Sequence, residues 1–117
     1  MNVYFVLNGI TFAWDEEKAR INPTNHNGIT FVWDDEKARI NPINHDGVTF
    51  GQAAESFFDP FLVVVDASRN EEARDAVIGL DARWNLLYVV HIEREENVIR
   101  IISARRATRQ ERTQYED

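Results

Sequence analysis

The chain has no cysteine, one methionine and three prolines in 117 residues. Without cysteine, disulfide frameworks, Cys-ligated zinc and thiol catalysis are excluded. Long apolar runs are missing too: runs such as Phe61 to Val65 and Leu86 to Val90 fall far short of the ~20 residues that a membrane-spanning helix needs. Met1-Asn2-Val3 has no basic leader character, so a soluble, untargeted protein with no membrane partner is expected. What is present suffices for one domain: 44% of the residues are apolar, and a chain of this size buries a core without covalent staples.

The formal charge of −7 argues on its face against a nucleic-acid partner, because phosphate contacts need clustered Lys and Arg. Its distribution is uneven. Residues 1–60 sum to −5, residues 61–96 to −4 and residues 97–117 to +2. Between residues 100 and 112, Arg100, Arg105, Arg106, Arg109 and Arg112 face only Glu111, so these thirteen residues carry +4. Such a run serves equally as a solvated face or as a surface for acidic groups, and the planar fork of Arg suits carboxylate and phosphate alike.

An internal duplication stands out next. The segments 9–27 and 28–46 are identical at 15 of 19 positions, differing at Ala13/Val32, Glu16/Asp35, Thr24/Ile43 and Asn27/Asp46. Two copies are too few for a solenoid, so this is a tandem duplication of one element, recent or engineered, within a single domain spanning 1–117.

Each copy opens with strand alternation (Ile10/Phe12/Trp14 and Ile29/Phe31/Trp33). A short helix should follow from Asp15 or Asp34 and stop at Asn-Pro, since the residue before proline is driven out of the α region. Thr49-Phe50-Gly51-Gln52 reads as a capping box opening a helix through Phe58, and Thr108-Arg109-Gln110-Glu111 as one opening a helix to about Tyr115. Phe61–Asp66, Asp75–Ile78, Leu86–Glu93 and Val98–Ala104 read as strands, with a hairpin turn at Glu95-Glu96-Asn97. The fold class expected is α+β: an antiparallel sheet with N-terminal helices and a C-terminal helix.

Several site motifs fail. His91-Ile92-Glu93 lacks the cysteine pair of a zinc deaminase. Asn44-His45-Asp46-Gly47, aligned as a calcium loop, puts Ala53 where an acid is required. His26 and His45 are copies of one position, so their pairing reflects duplication and not metal ligation. No metal and no cofactor is expected. The titratable and cationic side chains that remain are Arg74, His91, Glu93, Arg94, Arg100, Arg105 and Tyr115, with Ser103 between them. A bland reading stays open here, in which Glu93 and Arg100 form an ordinary cross-strand ion pair and His91 is an edge-of-core residue.

The stretch from Phe31 to Asn41 (Phe-x-Trp-Asp-x-Glu-Lys-Ala-Arg-x-Asn), then His45, Gly47-Val48-Thr49-Phe50, Asp59-Pro60, Ile78-Gly79, His91-Ile92-Glu93-Arg94 and above all Arg100-Ile101-Ile102-Ser103-Ala104-Arg105 with Ala107-Thr108, Glu111-Arg112 and Tyr115 resemble the BrnT family of bacterial toxins. Removing one copy leaves a chain of about the family's size. Two departures are visible: Asn44-His45-Asp46-Gly47 stands where the family often has Lys-His-Gly, and Asp66 to Asn70 lacks a histidine often found there. The resemblance implies a RelE/ParE-like fold and a cytoplasmic, bacterial, metal-independent ribonuclease that inhibits translation. It also implies a ribbon-helix-helix antitoxin as partner, with operator DNA met only through that partner.

In that chemistry the RNA 2′-OH attacks the adjacent phosphate. On this reading Arg74, Arg100 and Arg105 hold the phosphate, His91 or Glu93 moves protons, Tyr115 stacks or donates, and Arg94, Ser103, Arg106 and Arg109 bind RNA. Two further readings remain: a non-catalytic module that binds its antitoxin through the Arg-rich surface, and a duplication variant in which the second copy fills the native slot. In the latter the first copy is displaced, or is exchanged with a second molecule to give a homodimer.

Overall fold

The computed structural model describes residues 28–117 and, before them, the backbone of strands 2–7, 10–15 and 24–26. Strand β1 (Asn2–Leu7) pairs antiparallel with β2 (Ile10–Asp15), Phe5 opposite Phe12. The helix expected after Asp15 and the side chain of Trp14 lie outside the described residues. Strand β3 (Thr24–His26) pairs antiparallel with β4 (Ile29–Val32). Between them Gly28 sits at φ 82°, a left-handed conformation that glycine adopts without steric cost.

Helix α1 (Asp35–Asn44) starts where the sequence signals it: the Asp34 carboxylate accepts the N–H groups of Glu36 and Lys37 at 2.8 and 3.1 Å. It does not stop at Asn41-Pro42. Pro42 lies inside the helix, leaving the Ala38 carbonyl without its usual donor. The turn continues because the next carbonyls are taken up: His45 N–H donates to Asn41 O at 2.9 Å and Gly47 N–H to Pro42 O at 2.8 Å. The Asn41 side chain also fastens this end. Its Nδ2 donates to Val48 O (2.9 Å) and Ala104 O (2.7 Å), and its Oδ1 accepts Ala104 N–H (3.1 Å).

Helix α2 (Phe50–Ser56) opens with the expected reciprocal box between Thr49 and Gln52. It ends at Ser56, short of Phe58, and the strand expected from Phe61 starts only at Val63 (β5, Val63–Asp66). Asp59 accounts for both, its carboxylate accepting Phe61 N–H at 2.9 Å and Leu80 N–H at 2.8 Å. That clamp holds the connection against the end of β6 (Asp75–Leu80) and leaves Phe61 exposed. Strands β7 (Leu86–Glu95) and β8 (Val98–Arg106) form a hairpin turning at Glu96-Asn97, with Asn97 at φ 64°. Helix α3 (Arg109–Glu116) opens with the second capping box, between Thr108 and Glu111.

The main sheet runs β3-β4-β8-β7-β6-β5. The α+β class holds, but the sheet is mixed where an antiparallel one was expected. β4 lies parallel to β8, from Thr30 opposite Val98 to Val32 opposite Arg100. Hairpins impose antiparallel pairing only between strands that a short turn joins; β4 reaches β8 through two helices and three strands, so local turn chemistry does not fix its direction. Phe31, Trp33, Phe50, Ala53, Ala54, Leu87, Val89, Ile101 and Ala104 form the core. Phe31 packs against Phe57 (ring centroids 5.2 Å) and Trp33 against Phe50 (5.9 Å). The second copy therefore supplies core residues.

Candidate active site

Alternation along β7 turns Leu87, Val89 and His91 toward one face, and all three are buried. The His91 ring meets Phe57 edge-on at 4.8 Å, and its Nδ1 lies 3.2 Å from Val89 O. A carbonyl can only accept, so Nδ1 carries the hydrogen and Nε2 keeps its lone pair in the neutral ring. Burial pushes the His91 pKa below its ordinary 6.5, and the Val89 hydrogen bond with the nearby charges of Asp75 and Glu93 only partly restores it. His91 is thus a neutral base at pH 7.

His91 opens on a cleft of about 330 Å³ whose wall also carries Asp66, Ser68, Arg74, Asp75 and Glu93. Asp75 lies directly across from His91 in the β6–β7 register. The loop that brings Arg74 here is braced locally: Ser68 Oγ donates to Asp66 Oδ1 (2.6 Å) and accepts Arg74 N–H (3.2 Å). The Arg74 guanidinium donates twice to Glu72 Oε1, both at 3.2 Å.

Arg100 is placed differently. It stands opposite Ile92, whereas Glu93 stands opposite Ile99, so Glu93 and Arg100 are not direct cross-strand partners. Half-burial and the charge of Arg94 lower the Arg100 pKa, while Asp34 and Glu72 oppose that; a guanidinium nonetheless stays cationic near neutrality. Arg74 and Arg100 thereby share the field of one carboxylate, Glu72, with Arg94 beside them.

Arg105 and Tyr115 do not line the cleft. Arg105 makes a two-pronged ion pair with Glu111 (2.7 and 2.9 Å) and lies 4.2 Å over the Tyr88 ring. The Tyr115 hydroxyl donates to Asp59 Oδ2 at 2.6 Å. Burial, then that hydrogen bond and the Asp59 charge, push its pKa up to about 12. Together these contacts hold α3 to the sheet. Ser103 lies half-buried on β8 opposite Val90, next to a shift in register. Arg106 donates to Asn85 Oδ1 at 3.0 Å, and Arg109 is exposed at the start of α3. Of the residues singled out from sequence, the cleft gathers Arg74, His91 and Glu93. Asp66, Ser68 and Asp75 had been missed; counting back through the β6–β7 hairpin, where Leu80 faces Leu86, is the signal that would have put Asp75 beside His91. Among the described residues no three His, Asp or Glu side chains are grouped so as to hold a metal ion, and no helix is long and apolar enough to cross a membrane.

The sequence pattern of the ribonuclease toxin BrnT of type II toxin-antitoxin systems matches residues 33–111, more than half of the chain. The chain belongs to the BrnT family. The match takes in the cleft and the Arg100–Arg105 block, starts at Trp33 inside the second copy, and leaves the first copy outside. No match is found among curated proteins. Membership makes this, at the level of the family, the ribonuclease toxin of a type II system and implies an antitoxin partner. BrnT membership and the α+β fold thus agree with what the residue pattern implied.

Proposed function

We propose that the protein is a metal-independent endoribonuclease that cuts RNA by 2′-OH transphosphorylation in the His91 cleft. The observation that carries this reading is the state of His91: neutral, with Nδ1–H held by Val89 O and Nε2 left to accept a proton. His91 takes the proton of the 2′-OH, whose oxygen attacks the adjacent phosphorus. Arg74 and Arg100 balance the added phosphate charge, the proton that His91 took passes on to the leaving 5′-oxygen, the negative charge of Glu93 steadies the imidazolium in between, and Arg94 and Ser103 contact the RNA beside them. Arg105 and Tyr115 serve this site through the placement of α3 and not by touching RNA. A RelE/ParE-like ancestry, a cytoplasmic location, inhibition of translation and a ribbon-helix-helix antitoxin complete the reading.

The test is cleavage of single-stranded RNA by the purified protein and its variants. His91→Ala should lose at least about 100-fold in rate, the usual share of a general base, and Arg74→Ala should lose a comparable factor, while Tyr115→Phe keeps the chemistry. The acid limb of the rate profile should lie below pH 6.5, because the His91 pKa is lowered. The same shift makes the fold less stable on acidification. Stability is full above 6.5, and it falls between 6.5 and the lowered native value as the unfolded chain takes up a proton that the folded one refuses. Wild-type rates in His91→Ala would remove His91 from the mechanism.

A further inference from the structure

Trp84 is the most exposed large apolar side chain among the described residues, 82% accessible, and it sits at φ 69°. A left-handed backbone is strained for a bulky residue. Leaving an indole in water also forfeits its large burial gain. Both costs fall on one position that packs nothing.

The turn that carries Trp84 is tightly built. The buried Asp81 carboxylate accepts the N–H groups of Arg83 (2.8 Å) and Asn85 (2.9 Å), and also Asn85 Nδ2 (3.0 Å) and Gln52 Nε2 (3.1 Å). Trp84 N–H donates to Asp81 O at 3.2 Å. The indole is therefore presented from a fixed support.

Three arginines stand at this end, against the turn carboxylates Asp81 and Glu55. Arg83 precedes it and is exposed. Arg106 is drawn to the turn by its bond to Asn85, and Ala107 N–H, 2.9 Å from Leu86 O, brings the start of α3 with Arg109 to the same end. The acids nearby are already engaged: Asp81 in the turn, Glu55 with Ala82 N–H at 3.2 Å, Glu111 with Arg105. From this end to His91 is five residues of β7, about 17 Å at the usual strand rise.

We propose that Trp84, with Arg83, Arg106 and Arg109, is a single-stranded RNA-binding platform separate from the cleft: a base stacks on the indole and the guanidinium groups meet the flanking phosphates. Stacking on an aromatic beside Arg is the general solution for holding unpaired bases without reading their sequence. A protein partner would call for a broader apolar surface, and the other exposed large apolar side chains, Ile43, Phe58, Phe61 and Val64, belong to other elements. The inference rests on the proposal that RNA is the substrate, and names the second place where the substrate is held.

The test uses a fluorescent single-stranded 2′-O-methyl RNA, which lacks the attacking hydroxyl and so reports binding alone, followed by anisotropy. Trp84→Gly and Trp84→Asn, both tolerant of positive φ, should keep or raise Tm while binding roughly 5- to 100-fold more weakly. Trp84→Phe should stay within a few-fold of wild type. Arg83→Gln and Arg106→Gln should each flatten the salt dependence of log K by about 0.7. Wild-type binding by both Trp84→Gly and Trp84→Asn overturns the proposal, as does their loss of a co-expressed antitoxin with RNA affinity intact. Loss of cleavage in His91→Ala is scored separately, so the two proposals fail independently.

Discussion

The two copies of the duplicated segment, 15 of 19 residues identical, are folded differently. Both Ile10–Asp15 and the matching Ile29–Val32 pair antiparallel with the strand before them, but the second also lies parallel to β8 and so enters the main sheet, whereas the first stays in a two-stranded sheet with β1. Their tails diverge further. Thr24-Asn25-His26 is a strand, whereas Ile43-Asn44-His45 is the end of α1 and its cap. The first copy's tail moreover pairs with the second copy's head, Thr24 opposite Phe31 and His26 opposite Ile29, so the surplus segment covers an edge of β4 that would otherwise present unpaired backbone. Local sequence cannot account for such divergence. What differs is what each copy can reach: the second is followed at once by α2, and its Asn41 finds the backbone of β8.

Paired substitutions at equivalent positions put that account at risk. The largest effect should come at Phe31, which is fully buried: Phe31→Ala should cost about 3–5 kcal/mol by denaturant titration, to be set against Phe12→Ala. Equal costs would mean that both copies carry the core. Next, Asn41→Ala removes three hydrogen bonds and strands buried backbone groups at Val48 and Ala104, a loss of about 2–3 kcal/mol; an equal loss in Asn22→Ala would mean that the first copy can be fastened in the same way. The smallest is Ile43→Thr, which gives the second tail the first tail's residue. Ile43 is 72% exposed, so stability should move by less than about 0.5 kcal/mol and circular dichroism should show α1 intact. Lost helicity would return the decision to local sequence.

The same contrast separates what was legible in the sequence from what was not. Both capping boxes formed as read, because each is closed within four residues and needs nothing distant. The helix that runs past Pro42 was not legible, since its end is fastened by Ala104, 63 residues away from Asn41. Nor was the parallel strand, whose direction depends on everything between β4 and β8. In the site, His91 and Glu93 were readable from position on an alternating strand. The company they keep was not: Asp66 and Asp75 join the cleft through strand register, and the pairing of Arg105 with Glu111 depends on how α3 turns back after β8. Trp84 escaped notice because a lone tryptophan between polar neighbours, Arg83 and Asn85, looks like core until the backbone places it in solvent.

The Asn41 contacts also set a clock. Both copies leave the ribosome before β8 exists, and neither can join the main sheet through β8 until residues 98–106 arrive. At 5–20 residues per second the roughly sixty residues between Asn41 and Ala104 take about 3–12 s to make. For that interval two nearly equal segments compete with no arbiter. Whichever copy then meets β8 supplies the aromatic side chains of the core, so the choice between two nearly identical segments is left to the last strands to be made.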